Sequence, residues 1–509
     1  MPQPTFASIL SEIGYGQDVA EPFRDVRLPF ELKPHQVTGL HYGLYYDRFG
    51  LFFEPRTGKS IVLQLLALFA SRNGAKTIQL MPPGLFRQFR ADYDLIHGHG
   101  LRIDTLSQSK VSREKRVRAW ENGLSSIPDV LLMSAPIFLK HWDSLRRMGY
   151  TNLHFDEAHQ GLQDEKNKIS TTIQKFIKGP QTRLVLSTGT PIPSRIENAF
   201  GTVRLLRPGA YLSRRSFEEL HVSKRTIQVR TDQPGETRSV HVVCGYRNID
   251  ALHHHLSKQA VFAAQRDVLK VDAPNIQIIS YDLSKPHAAL YRKVLNEQML
   301  EMPDGALLDA RKTQKLRQVA MQIVSCPEVY DEKIHNNSLV DTLKPALDVH
   351  DLERNKVVIF ANYNQTVERL AFIFAQHAPQ TVYGPNGPAR NAQAVEAFRN
   401  DQKCRLLIAN PIAGGVGFKL GDVCTRVIFA EPTSSPGHFT QALSRVLLMG
   451  QTEPVVCDIL RASGTLWTSV IESMLGRIGP LNELTGSRES LFDALFGDVP
   501  QPQPQQEAA

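Results

Sequence analysis

Gly58, Lys59 and Ser60 have the types and the spacing of a phosphate-binding loop. They follow the apolar run GLFF and begin the helix-like segment IVLQLLALFASR, which is the context that such a loop requires. Amides at a helix N-terminus bind phosphate oxygens, a lysine reaches the β and γ phosphates, and a serine hydroxyl ligates Mg²⁺. The loop departs from the usual pattern because Phe53 stands where its first glycine belongs. A nucleotide site is expected, although this loop alone leaves it open.

A pair of acids supplies the chemistry that the loop lacks. Asp156 and Glu157 follow the apolar run NLHF in the phrase FDEAH. An acid at the carboxyl end of a strand can hold Mg²⁺, and a neighbouring glutamate can orient the attacking water. A third turn, STGTP at Ser187–Pro191, follows the run RLVL. In this order the three turns predict phosphate-bond hydrolysis, with Lys59, Asp156 and Glu157 as catalytic residues.

Two regions of alternating strands and helices must position these turns. The first spans about residues 30–205 and contains the runs GLFF, TIQL, VLLM, NLHF and RLVL. The second spans about residues 350–480 and contains KVVIFAN, CRLLIAN, RVIFAEP and PVVCDIL. Continuous apolar strands that alternate with amphipathic helices predict an α/β protein with two parallel sheets, each covered on both faces. Ligands should bind at the carboxyl ends of the strands.

Residues 206–349, between these regions, are dominated by long helical patterns. The exception is RTIQVRTDQPGETRSVHVV, residues 225–243, which predicts a hairpin turning at Pro234-Gly235. Its Arg225, Arg230 and Arg238 could grip or split nucleic acid, and solvated charges on an edge hairpin are the alternative. The final DVPQPQPQQEAA is rich in proline and glutamine, which predicts disorder.

Length, net charge, cysteine spacing and apolar segments limit the class of protein. A chain of 509 residues should form two or three domains, and its net charge of +8 with a pI near 9.1 leans weakly toward an anionic partner such as nucleic acid. The five cysteines are widely separated and form no CxxC pair, a spacing that argues against both a disulfide framework and a zinc site. The sequence shows neither a signal peptide nor an apolar run long enough to span a membrane, so we expect a soluble intracellular protein.

Over residues 30–480 the motifs together resemble the Swi/Snf-related branch of the superfamily two (DEAH-motif) helicase-like ATPases. LKPHQ at 32–36, EPRTGKS, DEAHQ and STGTPIP resemble the glutamine motif and motifs I, II and III. MPPGLFRQF and LLMSAP lie where DNA-contacting motifs belong, and LRQVAMQIVSCP resembles a helix of the Swi/Snf insertion. KVVIFANYN, ANPIAGGVGFKL and QALSRVLLMGQ resemble motifs IV, V and VI.

The resemblance implies two RecA-like lobes that close over ATP and Mg²⁺ while moving along duplex DNA. It implies lobe 1 at 1–205, a helical insertion at 206–349, lobe 2 at 350–480, and a C-terminal helix with a disordered tail at 481–509. The implied ATP-binding residues are Gln36 (for adenine), Arg56, Thr57, Gly58, Lys59, Ser60, Gly417 and Gln441, with Mg²⁺ on Ser60 and Asp156. The implied nucleic-acid contacts are Pro82, Pro83, Gly84, Ser134, Thr188, Gly414, Gly415, Arg225, Arg230 and Arg238.

One position departs from the family pattern in a way that bears on catalysis. Motif VI runs Gln-x-x-x-Arg-x-x-Arg-x-Gly-Gln, and Leu448 replaces its second arginine, so Arg445 is the remaining arginine finger. We expect an ATP-dependent duplex-DNA translocase. The alternatives are a strand-separating DNA or RNA helicase and a nucleic-acid-binding adaptor with weakened ATPase. The compact form resembles bacterial and bacteriophage members, so we expect a cytoplasmic monomer, in the host cytoplasm if a phage encodes it.

Overall fold

The computed structural model describes most of the chain, which divides into two compact units. The main part of the first unit is Met1–Val268 and that of the second is Leu269–Gly479. The described residues are 4–106, 109–162, 166–192, 195–230, 237–264, 268, 274–303, 307–334, 337–411, 420–447, 451 and 453–475.

The first unit is built on a seven-stranded parallel sheet. Its strands are β1 (Arg48–Phe53), β2 (Lys76–Leu80), β3 (Ile103–Thr105), β4 (Val130–Met133), β5 (Tyr150–Asp156), β6 (Arg183–Ser187) and β9 (Ala260–Ala263), in the order β3-β4-β2-β5-β6-β1-β9. Its described α-helices are α1 (Phe6–Glu12), α2 (Gln17–Ala20), α3 (Pro34–Tyr45), α4 (Lys59–Arg72), α5 (Phe86–Asp94), α6 (Lys110–Glu121), α7 (Ala135–Arg147), α8 (Lys168–Phe176), α9 (Ala199–Leu206), α10 (Arg214–His221) and α11 (Ile249–Ser257).

Apolar side chains on both faces explain why this sheet lies between helices. Five of the six residues of β1 are buried, and α4 buries an unbroken run from Ile61 to Leu68. One hydrophobic core contains Leu153 and Leu186, and the other contains Leu51. Both faces of the sheet are therefore packed with apolar side chains, because successive residues of a strand point to opposite faces. Because all the strands are parallel, the turns that follow β1, β5 and β6 lie at the same edge.

A separate antiparallel ribbon belongs to the first unit. Strand β7 (Val222–Arg230) pairs with β8 (Thr237–Tyr246) from Val222↔Tyr246 to Arg230↔Thr237. These strands correspond to the hairpin that the sequence predicts, whose Pro234-Gly235 turn lies outside the described residues.

The second unit contains a six-stranded sheet, again entirely parallel. Its strands are β10 (Asn275–Tyr281), β13 (Val357–Phe360), β14 (Gln380–Val382), β15 (Leu406–Ala409), β16 (Arg426–Phe429) and β17 (Val456–Ala462), in the order β10-β17-β16-β13-β15-β14, and a small antiparallel pair is formed by β11 (Met299–Glu301) and β12 (Leu307–Asp309). Its described α-helices are α12 (Lys285–Glu297), α13 (Thr313–Ser325), α14 (Ser338–Val349), α15 (Asn364–Ile373), α16 (Gly387–Asn400), α17 (Pro436–Leu443) and α18 (Leu466–Leu475).

The prediction of an α/β protein with two parallel sheets is confirmed. Residues 206–349, predicted as a mainly helical insertion, are distributed between the two units and also supply an edge strand to each sheet, β9 and β10. None of the described helices is both long enough and apolar enough to cross a membrane.

Candidate nucleotide site and the relatives of the chain

The loop between β1 and α4 has the backbone shape of a phosphate cradle. Gly58 caps the N-terminus of α4 with φ +87°, and Arg56, two residues earlier, has φ +67°. A Cβ on Gly58 would lie 1.9 Å from Nε2 of Gln36, so only glycine fits without displacing that side chain. A non-glycine residue in the left-handed region is strained, and such strain concentrates at functional loops. The geometry therefore matches the loop that the sequence predicts.

Two side chains from the start of α3 contact the backbone of the phosphate loop. Gln36 Oε1 accepts from the Lys33 amide at 2.8 Å, and Gln36 Nε2 donates to the Thr57 carbonyl at 3.3 Å. His35 Nε2 lies 2.7 Å from the same carbonyl. Gln36 is 5% exposed and both ends of its amide are engaged. Adenine recognition by Gln36 stays a prediction, and it would require Gln36 to exchange these bonds.

The acidic pair lies at the end of β5 and reaches the loop lysine. Lys59 Nζ is 3.7 Å from Glu157 Oε1, and His159 Nδ1 is 3.3 Å from Glu157 Oε2. Glu157 has φ +53°, which turns the backbone sharply as the strand ends. The structure thus brings together Lys59 and Glu157, which are far apart in sequence, at the edge where ligands of parallel sheets bind.

Burial and charge separate the pKa values of the two acids. Burial raises the pKa of Asp156, and Lys59 offsets only part of that shift. Burial also acts to raise the pKa of Glu157, but the charge of Lys59 and hydrogen bonds from His159 and Thr188 outweigh it and lower the pKa. Glu157 is therefore the acid of the pair that stays ionised near the loop lysine.

The turn after β6 completes this network, because β6 lies between β1 and β5. Ser187 Oγ donates to Asp156 Oδ1 at 3.0 Å, and Thr188 Oγ1 lies 2.8 Å from His159 Nδ1. A Cβ on Gly189 would lie 2.7 Å from Cδ of Pro55, so this glycine permits close packing on the phosphate loop. Thr188 is 1% exposed and contacts this acidic network, and its role as a nucleic-acid contact stays a prediction.

The donors at this edge suit Mg²⁺. The Ser60 hydroxyl on α4 and the Asp156 carboxylate at the end of β5 are hard oxygen ligands, and Mg²⁺ commonly uses one or two protein oxygens together with phosphates. Bound there, the ion would neutralise charge on the phosphate oxygens. Ser60 is half-buried, as is Lys59 beside it.

The motif VI residues lie in the second unit, within and after α17. Gln441 is half-buried in α17, whereas Arg445 is buried and donates from Nη2 to the Pro411 carbonyl at 3.3 Å. Burial lowers the pKa of Arg445 to about 10. Gln451 Nε2 donates to the Gly421 and Val446 carbonyls at 3.0 and 2.9 Å, which fixes the end of the motif. Gly414, Gly415, Gly417, Leu448 and Gly450 lie outside the described residues.

The predicted nucleic-acid contacts of the first unit occupy two places. Pro82, Pro83 and Gly84 follow β2, and Ser134 follows β4, so all four lie at the same sheet edge as the nucleotide loop and are half-buried or exposed. Arg225 is exposed on β7. Arg230 and Arg238 lie on β7 and β8, and their side chains are outside the described set.

Sequence reasoning missed a buried carboxylate in the second unit. Glu431 follows β16 and accepts hydrogen bonds from the Asn362 amide, from the Tyr363 amide at 2.9 Å and from Thr366 Oγ1 at 2.6 Å. Burial raises its pKa, and these hydrogen bonds oppose the shift. Glu431 thereby ties the end of β16 to the start of α15. An acid directly after an apolar strand was the available signal.

The chain is similar to several known proteins. A family model described as the SNF2-related domain matches residues 99–331. The CHD3-type chromatin-remodeling factor CHR7 of Arabidopsis thaliana is 23% identical over 87% of this chain and 37% of its own length. The DNA repair and recombination protein RAD54B of Mus musculus is 22% identical over 92% of this chain and 58% of its own length.

Two further matches come from prokaryotes. The uncharacterized ATP-dependent helicase YqhH of Bacillus subtilis is 23% identical over 69% of this chain and 63% of its own length. The Sulfolobus solfataricus SWI2/SNF2 ATPase core in complex with dsDNA aligns with 92% of this chain and 97% of that chain at 16% identity and a TM-score of 0.38. This chain therefore spans roughly two fifths to three fifths of the length of the curated relatives named here.

The two parallel sheets and the phosphate loop beside an acidic pair have the arrangement of a P-loop nucleoside triphosphatase. Within that class, the chain is similar to the SNF2-related proteins, whose family model matches its residues 99–331. The resemblance seen in the sequence is thus confirmed, whereas a bacteriophage source has no support among these relatives.

Proposed function

We propose that the chain hydrolyses ATP with Mg²⁺ and uses the energy to translocate along duplex DNA. The observation that carries the proposal is the 3.7 Å approach of Lys59 on the phosphate loop to Glu157 on the acidic turn. Such a pair binds a γ-phosphate and orients water, which are the two tasks of a hydrolytic P-loop site.

Each residue of the first unit has a proposed role. Amides at the N-terminus of α4 and Lys59 bind the phosphates, and Ser60 with Asp156 holds Mg²⁺. Glu157 orients the attacking water, with Thr188 and His159 fixing its carboxylate. Arg445 is proposed to stabilise transition-state charge, a role taken from its place in motif VI.

Duplex DNA is the proposed track. Two relatives carry names that refer to DNA repair and to chromatin remodeling, and the chain has a net charge of +8. The exposed or half-buried Pro82, Pro83, Gly84 and Ser134 are proposed contacts because they share the sheet edge of the nucleotide site. Phosphate contacts dominate the affinity of such proteins and make it fall with salt.

A panel of nucleic acids tests this proposal. ATP turnover is measured without nucleic acid and with single-stranded DNA, duplex DNA, forked DNA and RNA, using Glu157→Gln as the inactive control. We expect duplex DNA to stimulate turnover most. A turnover rate that duplex leaves unchanged would reject the DNA translocase, and a rate equal to that of Glu157→Gln would favour the adaptor with weakened ATPase.

Strand separation is the second candidate, because the structure contains the β7–β8 ribbon. Lys224 and Arg225 are exposed on β7, and Lys224 Nζ contacts Glu218 Oε2 at 2.5 Å. An unwinding assay on forked DNA compares the native chain with Arg225→Ala. Displaced strand that depends on Arg225 would support a pin, whereas robust ATPase without displaced strand would exclude this candidate.

We also propose that the protein is a cytoplasmic monomer. Light scattering coupled to size exclusion measures its mass in solution, with and without duplex DNA. A mass of 57.1 kDa is expected for the free chain, and twice that value would overturn the monomer.

A further inference from the structure

Four polar side chains lie together in the hydrophobic interior of the first unit. Thr77 and Gln79 on β2 are directly opposite Asn152 and His154 on β5. Their exposed fractions are 0%, 1%, 3% and 2% in that order. Polar side chains in a central strand are unusual, because both faces of such a sheet are covered.

Three of the four positions that flank this group on β4 and β6 are apolar, and the fourth is Arg183 on β6, in register with Asn152. On β4, Val130 and Leu132 are in register with Thr77 and Gln79, and on β6 Val185 is in register with His154. All three belong to the hydrophobic core on that face of the sheet. We call Thr77, Gln79, Asn152 and His154 the interior polar cluster.

Each member of the interior polar cluster has a buried polar atom without a protein partner among the described residues. These atoms are Thr77 Oγ1, Gln79 Nε2, Asn152 Nδ2 and His154 Nδ1. More than nine in ten buried polar groups in proteins are hydrogen-bonded, to protein or to ordered water. Four exceptions at adjacent positions call for one shared explanation.

Side chains in register on neighbouring strands can bond directly, as Ser187 Oγ does to Asp156 Oδ1 at 3.0 Å. The four atoms of the interior polar cluster have no such bond to a described residue, and one water can bridge two polar groups on strands about 4.7–4.9 Å apart. A buried water typically makes about three hydrogen bonds to polar groups of this kind.

We propose that the interior polar cluster is a binding site for ordered internal water, which bridges Thr77, Gln79, Asn152 and His154 beneath helix α4. The cluster lies between the two elements of the nucleotide site. Helix α4, which begins at Lys59, packs against β2 and β5. Asp156 follows His154 by two residues on β5 and so faces the same side of the sheet. The proposed water therefore joins β2 to β5, the strand of the acidic pair, on the face of the sheet that α4 covers.

The sign of a stability change tests this proposal without using ATPase activity. Thr77→Val removes one hydroxyl while keeping the shape of the side chain. If water satisfies that hydroxyl, the variant should lower the melting temperature of the full chain by about 2–4 °C. An unsatisfied hydroxyl would instead make the valine variant more stable. The matched control is Thr172→Val on α8, a half-buried threonine whose hydroxyl bonds to the Lys168 carbonyl at 2.7 Å.

A high-resolution crystal structure of the full chain provides the second measurement. We expect electron density for water within about 3.2 Å of polar atoms on at least two of the four side chains. Direct side-chain bonds with no water between them would overturn the proposal, as would a higher melting temperature for Thr77→Val. Both results are independent of whether the chain translocates on DNA.

Discussion

Lys59 Nζ lies 3.7 Å from Glu157 Oε1, which joins the first residue of α4 to the turn after β5. In this arrangement the ammonium holds the carboxylate in its ionised form and lowers its pKa against the effect of burial. A γ-phosphate that binds Lys59 would compete for the same ammonium and release Glu157 toward the attacking water. We therefore expect the pair to couple binding of nucleotide at the loop to hydrolysis.

Glu157→Gln should remove hydrolysis and leave nucleotide binding largely intact. The neutral amide cannot accept a proton from water, and groups that do so typically contribute a factor of about 10²–10⁴ to rate. Turnover is measured by phosphate release with saturating duplex DNA, and affinity by titration with a fluorescent ATP analogue. Lys59→Ala is the comparison, since it should weaken binding itself. Retention of more than about a tenth of the native rate in Glu157→Gln would show that another residue orients the water.

Gly58→Ala should damage the phosphate loop for two separable reasons. The alanine would be forced to φ +87°, which costs about 1–2 kcal/mol, and its Cβ would meet Gln36 Nε2. Gly74→Ala is the matched control, because Gly74 has φ +79° but its Cβ would contact nothing within 4 Å. We expect both variants to lose stability and only Gly58→Ala to lose ATP affinity. Adding Gln36→Ala to Gly58→Ala should restore part of the lost stability, measured against Gln36→Ala alone because Gln36 is itself predicted to bind adenine. Equal behaviour of the two glycine variants would contradict the clash.

The positions of the turns that carry the candidate catalytic residues were predictable, because each turn is a short motif that follows an apolar strand. Lys59, Asp156 and Glu157 each follow or end such a run, and parallel strands bring their carboxyl ends to one edge. The contacts of His35 with Thr57, and of Glu431 with Thr366, were not predictable in this way. They join residues that only the tertiary fold brings together.

The edge strands β9 and β10 were not predicted from the sequence, for a related reason. Both lie within 206–349, where helical periodicity dominates, and β10 alternates exposed and half-buried residues rather than forming a continuous apolar run. Edge strands are paired on one side only, so their sequences carry a weaker signal. The interior polar cluster is the opposite case, because its strands are buried although they contain polar residues. From composition alone, Gln79 and His154 would not be expected in a buried strand.

Thr188→Val should lower ATP turnover without changing affinity for DNA. The hydroxyl accepts from the Thr190 amide at 3.0 Å and lies 2.8 Å from His159 Nδ1, so the isosteric valine removes one support of the Glu157 carboxylate. We expect a loss of about tenfold, corresponding to one hydrogen bond to a charged group. Turnover and duplex binding are measured on the same preparation, with Thr172→Val as the control exchange. Weaker DNA binding at unchanged turnover per bound complex would support the original prediction of a nucleic-acid contact.

Glu431 gives the second unit a defined dependence on pH. Because burial raises the pKa of Glu431 in the folded state, folding favours the protonated form, which is fully populated below the ordinary value of 4.5. The contribution of Glu431 to stability is lost as the pH rises through the raised pKa. The melting temperature of the native chain should therefore fall relative to that of Glu431→Gln as the pH rises above 4.5. Thr172→Val, on α8 of the first unit, is the non-titrating control, and a difference that grows as the pH falls would reverse the assignment.

Substitutions at Arg445 and Leu448 test which residue acts as the arginine finger of motif VI. Arg445→Ala should abolish DNA-stimulated hydrolysis, but the residue is also buried and bonded to the Pro411 carbonyl, so the melting temperature must be measured alongside. Arg445→Lys keeps the charge and tests the planar donors specifically. Leu448→Arg restores the family pattern and should raise turnover with nearly unchanged ATP affinity if transition-state charge limits the rate. Near-normal turnover in a stably folded Arg445→Ala variant would show that the arginine finger is a different residue. Arg56, which is half-buried on the phosphate loop, would then be the next arginine to substitute.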